Sequence, residues 1–108
     1  MAPGVPGDFE QQVLLAVWRL GEDAYGASVR DELERRTGRE VAQGAVYVTL
    51  MRLEKKGLLH SRLADPTPVR GGKAKRYFTI LPAGIEGVKA ARETMDRLWD
   101  GLAEPAES

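Results

Sequence analysis

The sequence predicts a mainly α-helical fold with one small β-hairpin, and three observations lead to that fold class. Apolar residues recur at helical spacing in four segments of the 108-residue chain. Two short extended runs stand between the third and fourth segments, and the second run is rich in β-forming and aromatic residues. A stretch with prolines and glycines separates the two runs, as expected of a hairpin tip. The length fits a single domain.

The first two helices are predicted at residues 8–20 and 26–37. Asp8 is the expected N-cap of the first helix, and Gly21 is its expected stop. Gly38 is placed to end the second helix in the left-handed conformation. Apolar residues at helical spacing predict the inward faces of the two helices: Phe9, Val13, Ala16, Val17 and Leu20 in the first, and Val29 and Leu33 in the second.

A third helix is predicted at residues 43–56, with Gly57 as its stop. Val46, Leu50 and Leu53 recur at helical spacing and are expected to face the core. The turn that joins this helix to the second one is short. Two short helices joined by a tight turn are typical of a helix-turn-helix.

The two extended runs, Leu58–Ala64 and Lys75–Leu81, predict a β-hairpin. Two prolines and two glycines lie between them in a segment that also carries basic residues, so the tip is expected to be long and basic. A hairpin that follows a helix-turn-helix is the arrangement of a winged helix-turn-helix fold.

Pro82 is expected to open the last helix, where its missing N–H costs least. Apolar residues then recur at alternating steps of three and four, which is the pattern of a helix-pairing seam. The seam is expected to pair with a copy of itself or with the first helix. Its residues are Val88, Ala91, Met95, Leu98 and Leu102.

These elements predict four regions. Residues 1–7 are expected to be a disordered N-terminal segment, and residues 8–81 a winged helix-turn-helix domain. Residues 82–103 are expected to form a dimerisation helix, and residues 104–108 a tail.

Charge is distributed unevenly along the chain although its net value is zero. Residues 35–76 hold eleven Lys and Arg against three acidic residues, a net charge of +8. The flanking segments carry −5 and −3. Such a basic block is either a phosphate-binding surface or an ordinary solvated charge run, and its place in the predicted fold favours the first.

Several classes of site are not expected. The chain has no Cys, and His60 is its single histidine, so neither a metal site nor a cofactor is predicted. No nucleophile elbow, phosphate-cradling loop or paired histidine suggests an enzyme. No apolar run has a membrane helix's length, and no signal peptide is recognised. We therefore expect a cytoplasmic protein, associated with the nucleoid if the basic block binds DNA.

Four motifs in order resemble those of PadR-like transcriptional regulators. They are Glu10–Leu15 (EQQVLL), Tyr25-Gly26, Gly44–Leu58 (GAVYVTLMRLEKKGL) and Lys75–Gly84 (KRYFTILPAG). The resemblance covers residues 9–102 and implies homodimers that bind operator DNA in the major groove. It also implies repression as the family tendency, often with release by a small molecule or another signal. The sequence departs from the family at Val48 and Pro82, where Pro and Thr are frequent, and its single last helix resembles the short branch of the family.

The resemblance makes residues 43–56 the recognition helix and the hairpin a DNA-contacting wing. Gln43 suits an adenine, Ala45 or Thr49 a thymine methyl, and Arg52 a phosphate or a guanine. Arg35, Arg36 and Arg39 either contact phosphates or pair with Glu32 or Glu40. The predicted DNA-binding residues are Arg39, Gln43, Ala45, Tyr47, Val48, Thr49, Arg52, Lys56, Arg70, Lys73, Lys75 and Arg76.

A dimer interface is predicted on the first and last helices, where Trp18 and Trp99 are the two tryptophans. They either pack between protomers, the simpler interpretation, or line a pocket for a small aromatic or apolar effector. The predicted interface residues are Phe9, Val13, Trp18, Val88, Met95, Leu98, Trp99 and Leu102. The main alternative function is a winged-helix module that binds a protein partner and no DNA.

Overall fold

Four helices and a two-stranded hairpin form the computed structural model of the chain, which describes residues 6–64 and 74–105. The elements follow one another in the predicted order. They are α1 (Asp8–Leu20), α2 (Gly26–Thr37), α3 (Gln43–Lys55), β1 (Leu59–Leu63), β2 (Arg76–Ile80) and α4 (Pro82–Trp99), with a 3-10 turn at Gly21–Asp23.

Two helix ends differ from the prediction. Gly7 rather than Asp8 is the N-cap of α1, because the Glu10 side chain reaches back and accepts a hydrogen bond of 3.0 Å from the Gly7 N–H. At the other end of the chain, α4 stops at Trp99 instead of reaching residue 103. Gly101 has a φ of 78° and turns the backbone away, so Leu102 does not continue the helical seam.

The three helices of the helix-turn-helix and the hairpin close around one hydrophobic core. Its largest fully buried side chains come from α1, α3 and the two strands, and Val29 of α2 is also fully buried, so each of these elements places an apolar side chain in the interior. Burying one such side chain contributes about 1.5–3 kcal/mol relative to leaving it exposed. The largest of them are Phe78, Leu14, Leu50, Leu53 and Leu59.

Two residues assigned to the dimer interface belong to this core instead. Val13 is 0% exposed on α1, and Val88 is 6% exposed on α4. The interface prediction was therefore wrong for both, because each side chain is buried in the core of a single chain, in which α1 and α4 also contact each other. A seam pattern alone does not distinguish packing within a chain from packing between chains.

The hairpin is fastened to the start of α2. Strands β1 and β2 are antiparallel, with Ser61 opposite Phe78 and Arg62 opposite Tyr77. The Phe78 N–H donates to the Ala24 carbonyl at 2.8 Å, and Tyr77 forms a bridge with Tyr25. The base of the wing is consequently fixed relative to the helix-turn-helix.

Gly84 allows α4 to begin directly against the end of α3. A Cβ at this position would lie 2.4 Å from the Leu58 carbonyl oxygen and 2.8 Å from Cγ1 of Ile80. No larger residue fits there without moving the backbone. The first half of α4 is therefore packed on the core, whereas Met95, Leu98 and Trp99 in its second half are exposed.

No helix in the described ranges combines the length and the apolar character that crossing a membrane requires.

Candidate nucleic-acid interface

Helix α3 lies with one face in the core and the opposite face open. Its buried side chains are Val46, Thr49, Leu50 and Leu53. Thr49 is only 5% exposed, so its predicted place on the outward surface was wrong. Positions 46, 49, 50 and 53 share one side of the helix at steps of three and four, so Thr49 belongs to the buried side.

The open side of α3 is named here the outer face. Tyr47 and Val48 are its large exposed side chains, with 51% and 54% of their surfaces accessible. The face offers an amide, a phenol, aliphatic methyl groups and two cations, which are groups that bind base edges and phosphates. Its residues are Gln43, Gly44, Ala45, Tyr47, Val48, Arg52 and Lys55.

An ion pair on α2 holds the turn that leads into α3. The Arg30 Nε donates to the Val41 carbonyl at 2.8 Å, and the Val41 N–H donates to Glu34 Oε2 at the same distance. Arg30 and Glu34 are themselves 3.6 Å apart. Both backbone groups of Val41 are thus satisfied by one pair of side chains, which positions the start of the outer face.

A second network holds the far end of α3 to the wing. Glu54 Oε2 accepts hydrogen bonds from the backbone N–H and the hydroxyl of Ser61, at 3.0 and 2.6 Å. Arg76 Nη1 donates to the Ser61 hydroxyl at 3.0 Å. Arg76, predicted to contact DNA, is therefore half-buried and engaged in joining α3 to the two strands.

Lys56, another predicted DNA contact, reaches back to α1. Its Nζ lies 2.9 Å from Oε2 of the buried Glu10. Burial of Glu10 acts to raise the pKa of that carboxyl, but hydrogen bonds from Lys56 and from the Gly7 N–H outweigh burial and lower the pKa. The ammonium group is consequently part of the scaffold behind α3.

A buried carboxylate also accounts for two of the cations near the turn. Glu32 accepts from Arg19 Nε at 3.2 Å and from Arg36 Nε at 2.7 Å, and it is also bonded to Arg35. The hydrogen bonds from Arg36 and Arg35 lower the pKa of Glu32 to about 2. Of the two interpretations left open for Arg35 and Arg36, the structure shows the pairing with a glutamate.

Two tyrosines and two cations are stacked at the base of the wing. The Lys75 Nζ lies 4.3 Å from the Tyr25 ring centroid, and Tyr25 meets Tyr77 edge-on at 5.5 Å. The Arg62 guanidinium covers the other tyrosine, Tyr77, at 5.1 Å. Tyr25 and Arg62 were missing from the predicted site. The register of the two strands, which places Arg62 opposite Tyr77, would have revealed them, but a ten-residue loop does not determine that register. Arg70 and Lys73 lie outside the described residues.

Within the described ranges, no group of three His, Asp or Glu side chains is arranged to hold a metal ion. Arg39, Arg52 and Lys55 form no ion pair among the residues that the structure describes. Of the exposed cations beside the turn and along α3, these three are thus the ones without an ion pair to another described residue.

The family model described as "Transcriptional regulator PadR-like family" matches residues 14–90. That range runs from the middle of α1 to the middle of α4 and includes the whole outer face. A transcriptional regulator of Mycobacterium tuberculosis is 36% identical over 78 residues, which cover 70% of this chain. The chain spans 66% of that relative's length, slightly under two thirds.

Solved structures agree with the fold. A PadR-like transcription factor of Bacteroides fragilis superposes with a TM-score of 0.71 at 19% identity, over 83% of this chain and 82% of the other. A PadR family transcriptional regulator of Eggerthella lenta superposes with a TM-score of 0.67 at 27% identity, over 82% and 75%. With the family model covering most of the folded residues, the chain belongs to the PadR-like family, whose members are transcriptional regulators rather than enzymes.

Proposed function

We propose that this regulator is a repressor that binds a pseudo-palindromic operator as a homodimer and inserts the outer face of α3 into the major groove. One observation carries the proposal. Helix α3 is fixed at both ends by side-chain networks on its inner side, whereas its outer face presents hydrogen-bonding, apolar and cationic groups to solvent. A rigid helix with an open, chemically mixed face suits base reading.

In this proposal, residues at different positions along the outer face contact different parts of the DNA. Gln43 begins α3 and suits a bidentate contact with adenine, while the exposed hydroxyl of Tyr47 suits a phosphate. Arg52 follows two turns later and suits a phosphate or a guanine. Lys75 and Arg39 flank the face from the wing and from the turn, where phosphate contacts set the register of a protein on DNA.

The homodimer is proposed from the apolar surface that one chain leaves open. Met95, Leu98 and Trp99 lie exposed on the second half of α4, and Leu15 and Trp18 lie exposed on α1. Large apolar side chains grouped in this way mark protein interfaces. Two copies joined through α4 would carry two α3 helices, which requires operator half-sites about one helical turn apart.

Release by a small apolar effector is the remaining part of the proposal. Trp18 lines a surface cavity of about 320 Å³ together with Val17, Thr79 and Ile80. The cavity lies between α1 and β2, the strand that carries one side of the wing. A flat ligand bound there would contact both the interface helix and the wing.

The test is a gel-shift titration of the purified protein with its own upstream DNA, at two salt concentrations and with unrelated competitor DNA. We expect a shift that resists the competitor and weakens with salt. Arg52→Ala should reduce affinity and lower the slope of log K against log salt by about one for each protomer. Lys89→Ala, an exposed cation on α4, is the matched control and should change neither quantity.

Equal affinities and equal slopes for the wild type and Arg52→Ala would remove Arg52 from the DNA contacts. If neither upstream DNA nor duplexes selected from a random library compete specifically, the operator-binding proposal fails. The module that binds a protein partner would then be the better interpretation.

A further inference from the structure

Gly44 stands in α3 without a structural reason among the described residues. It has no positive φ, unlike the glycines at four turns and helix ends. A Cβ built on it meets no atom within 4 Å, whereas a Cβ on Gly84 would clash with backbone at 2.4 Å. Glycine is the least favourable residue in a helix after proline. The fold of the isolated chain would therefore accept alanine here and gain stability from it.

Val48, one turn later, is an apolar side chain without a core to pack against. It is 54% exposed, and the buried side of α3 is formed by other side chains. A β-branched apolar residue is a poor choice for an exposed helical position, since it loses rotamer freedom and gains no burial. A molecule that covers this part of the outer face would make both residues favourable.

The two positions share one ridge of the helix. Gly44, Val48 and Arg52 recur every fourth residue, so they follow one another along the outer face. The ridge begins with no side chain, continues with two methyl groups and ends with a guanidinium. Ala45, which also carries a methyl group, lies off this ridge at the edge of the outer face, where it lines a groove with Asp8 and Phe9 of α1.

We propose that Gly44 and Val48 together form a contact for the 5-methyl group of a thymine in the operator. Gly44 lets the first turn of α3 approach the base edges closely, and the Val48 methyl groups pack against the thymine methyl. That methyl is the apolar group that base pairs present in the major groove. Arg52 lies on the same ridge, and its guanidinium suits a phosphate or a guanine, so the expected partner of the ridge is DNA. The inference rests on the proposed function and adds a base identity to it.

The experiment uses duplexes that the full-length protein selects from a random-sequence library. The same duplexes are then synthesised with deoxyuridine replacing thymidine at one half-site position at a time, which removes the methyl group alone. We expect one position at which the replacement weakens wild-type binding by about fourfold per half-site, the loss of one buried methyl. Val48→Ala should bind more weakly and no longer distinguish thymidine from deoxyuridine at that position.

Gly44→Ala tests the close approach, since the two expected effects have opposite signs. The variant should unfold at a higher temperature than the wild type and bind the selected duplex at least tenfold more weakly. The control is Ala90→Gly on the exposed side of α4, which should unfold at a lower temperature and bind normally.

The results separate this inference from the function on which it rests. Tight operator binding with no sensitivity to deoxyuridine at any position would overturn the methyl contact and leave operator recognition intact. An unchanged thymidine preference in Val48→Ala, or normal binding by Gly44→Ala, would overturn the role of that residue. Failure of the wild type to select any sequence would overturn both proposals.

Discussion

Glu32 shows how one buried carboxylate gives several arginines of this chain a structural role. Its carboxylate is buried between α1 and α2 and bonded to Arg19, Arg35 and Arg36. A buried carboxylate is stable only when it is paired and hydrogen-bonded, so its hydrogen bonds hold the three guanidinium groups in place. Sequence reasoning weighed both uses of Arg35 and Arg36 but had no means of deciding between them, because burial of Glu32 is a tertiary property.

The low pKa of Glu32 predicts a specific dependence of stability on pH. Because the pKa is lowered from 4.5 to about 2, the ionised form is favoured by folding. This contribution is complete above about pH 4.5 and disappears as pH falls toward 2. Glu32→Gln should therefore be less stable than wild type at pH 7, with the difference shrinking below pH 4.5.

Urea unfolding followed by circular dichroism at pH 7, 5, 4 and 3 measures this difference. The exposed Glu93→Gln is the control, and its unfolding midpoint should follow the wild type throughout. A Glu32→Gln difference that stays constant from pH 7 to 3 would contradict the ion cluster as the cause.

At the scale of elements, periodicity predicted the four α-helices, and two extended runs around a Pro- and Gly-containing segment predicted the two strands. The errors arose at positions where side-chain hydrogen bonding or tertiary burial, rather than helix periodicity, determines the structure. Glu10 reaches back to cap α1 at Gly7, so the expected N-cap Asp8 became the first helical residue. Thr49 reads as polar in sequence, yet it completes the buried stripe of α3. Propensity gives no information on which polar groups find partners.

The turn between α2 and α3 supplies a prediction about this element pair. Glu34→Ala leaves the half-buried Val41 N–H without its acceptor, which costs about 1–3 kcal/mol of unfolding free energy. It should also weaken operator binding, because the start of α3 loses its fixed position. Glu34→Gln keeps an acceptor oxygen and should restore most of both properties.

Thermal unfolding and operator titration on the same samples measure the two effects. Glu40→Ala, an exposed glutamate in the same turn, is the matched control and should change neither property. If Glu34→Gln binds operator as weakly as Glu34→Ala, the hydrogen bond to Val41 is not what positions α3.

At the scale of the whole molecule, the sequence predicted two surfaces, a basic one and an apolar one on α4, and the structure shows which residues contribute to each. The basic block predicted a phosphate-binding surface, but Lys56 and Arg76 within it serve as ties behind α3. The α4 seam predicted an interface, but its first half is core, and exposure begins at Met95. Linear patterns locate an amphipathic face and leave open which neighbour covers each part of it.

The proposed dimer places the last prediction on the second half of α4. Leu98 is 66% exposed, and burying it between protomers would contribute about 1.5–3 kcal/mol for each copy. In a two-fold interface both copies change together. Leu98→Asp should therefore weaken association by about two to four orders of magnitude and yield monomers in light scattering at micromolar concentration. Operator affinity should fall with it, since two half-sites are no longer bound together. Leu63→Asp, at a similarly exposed leucine on β1, should leave the dimer mass unchanged; a Leu98→Asp protein that remains dimeric would place the interface elsewhere.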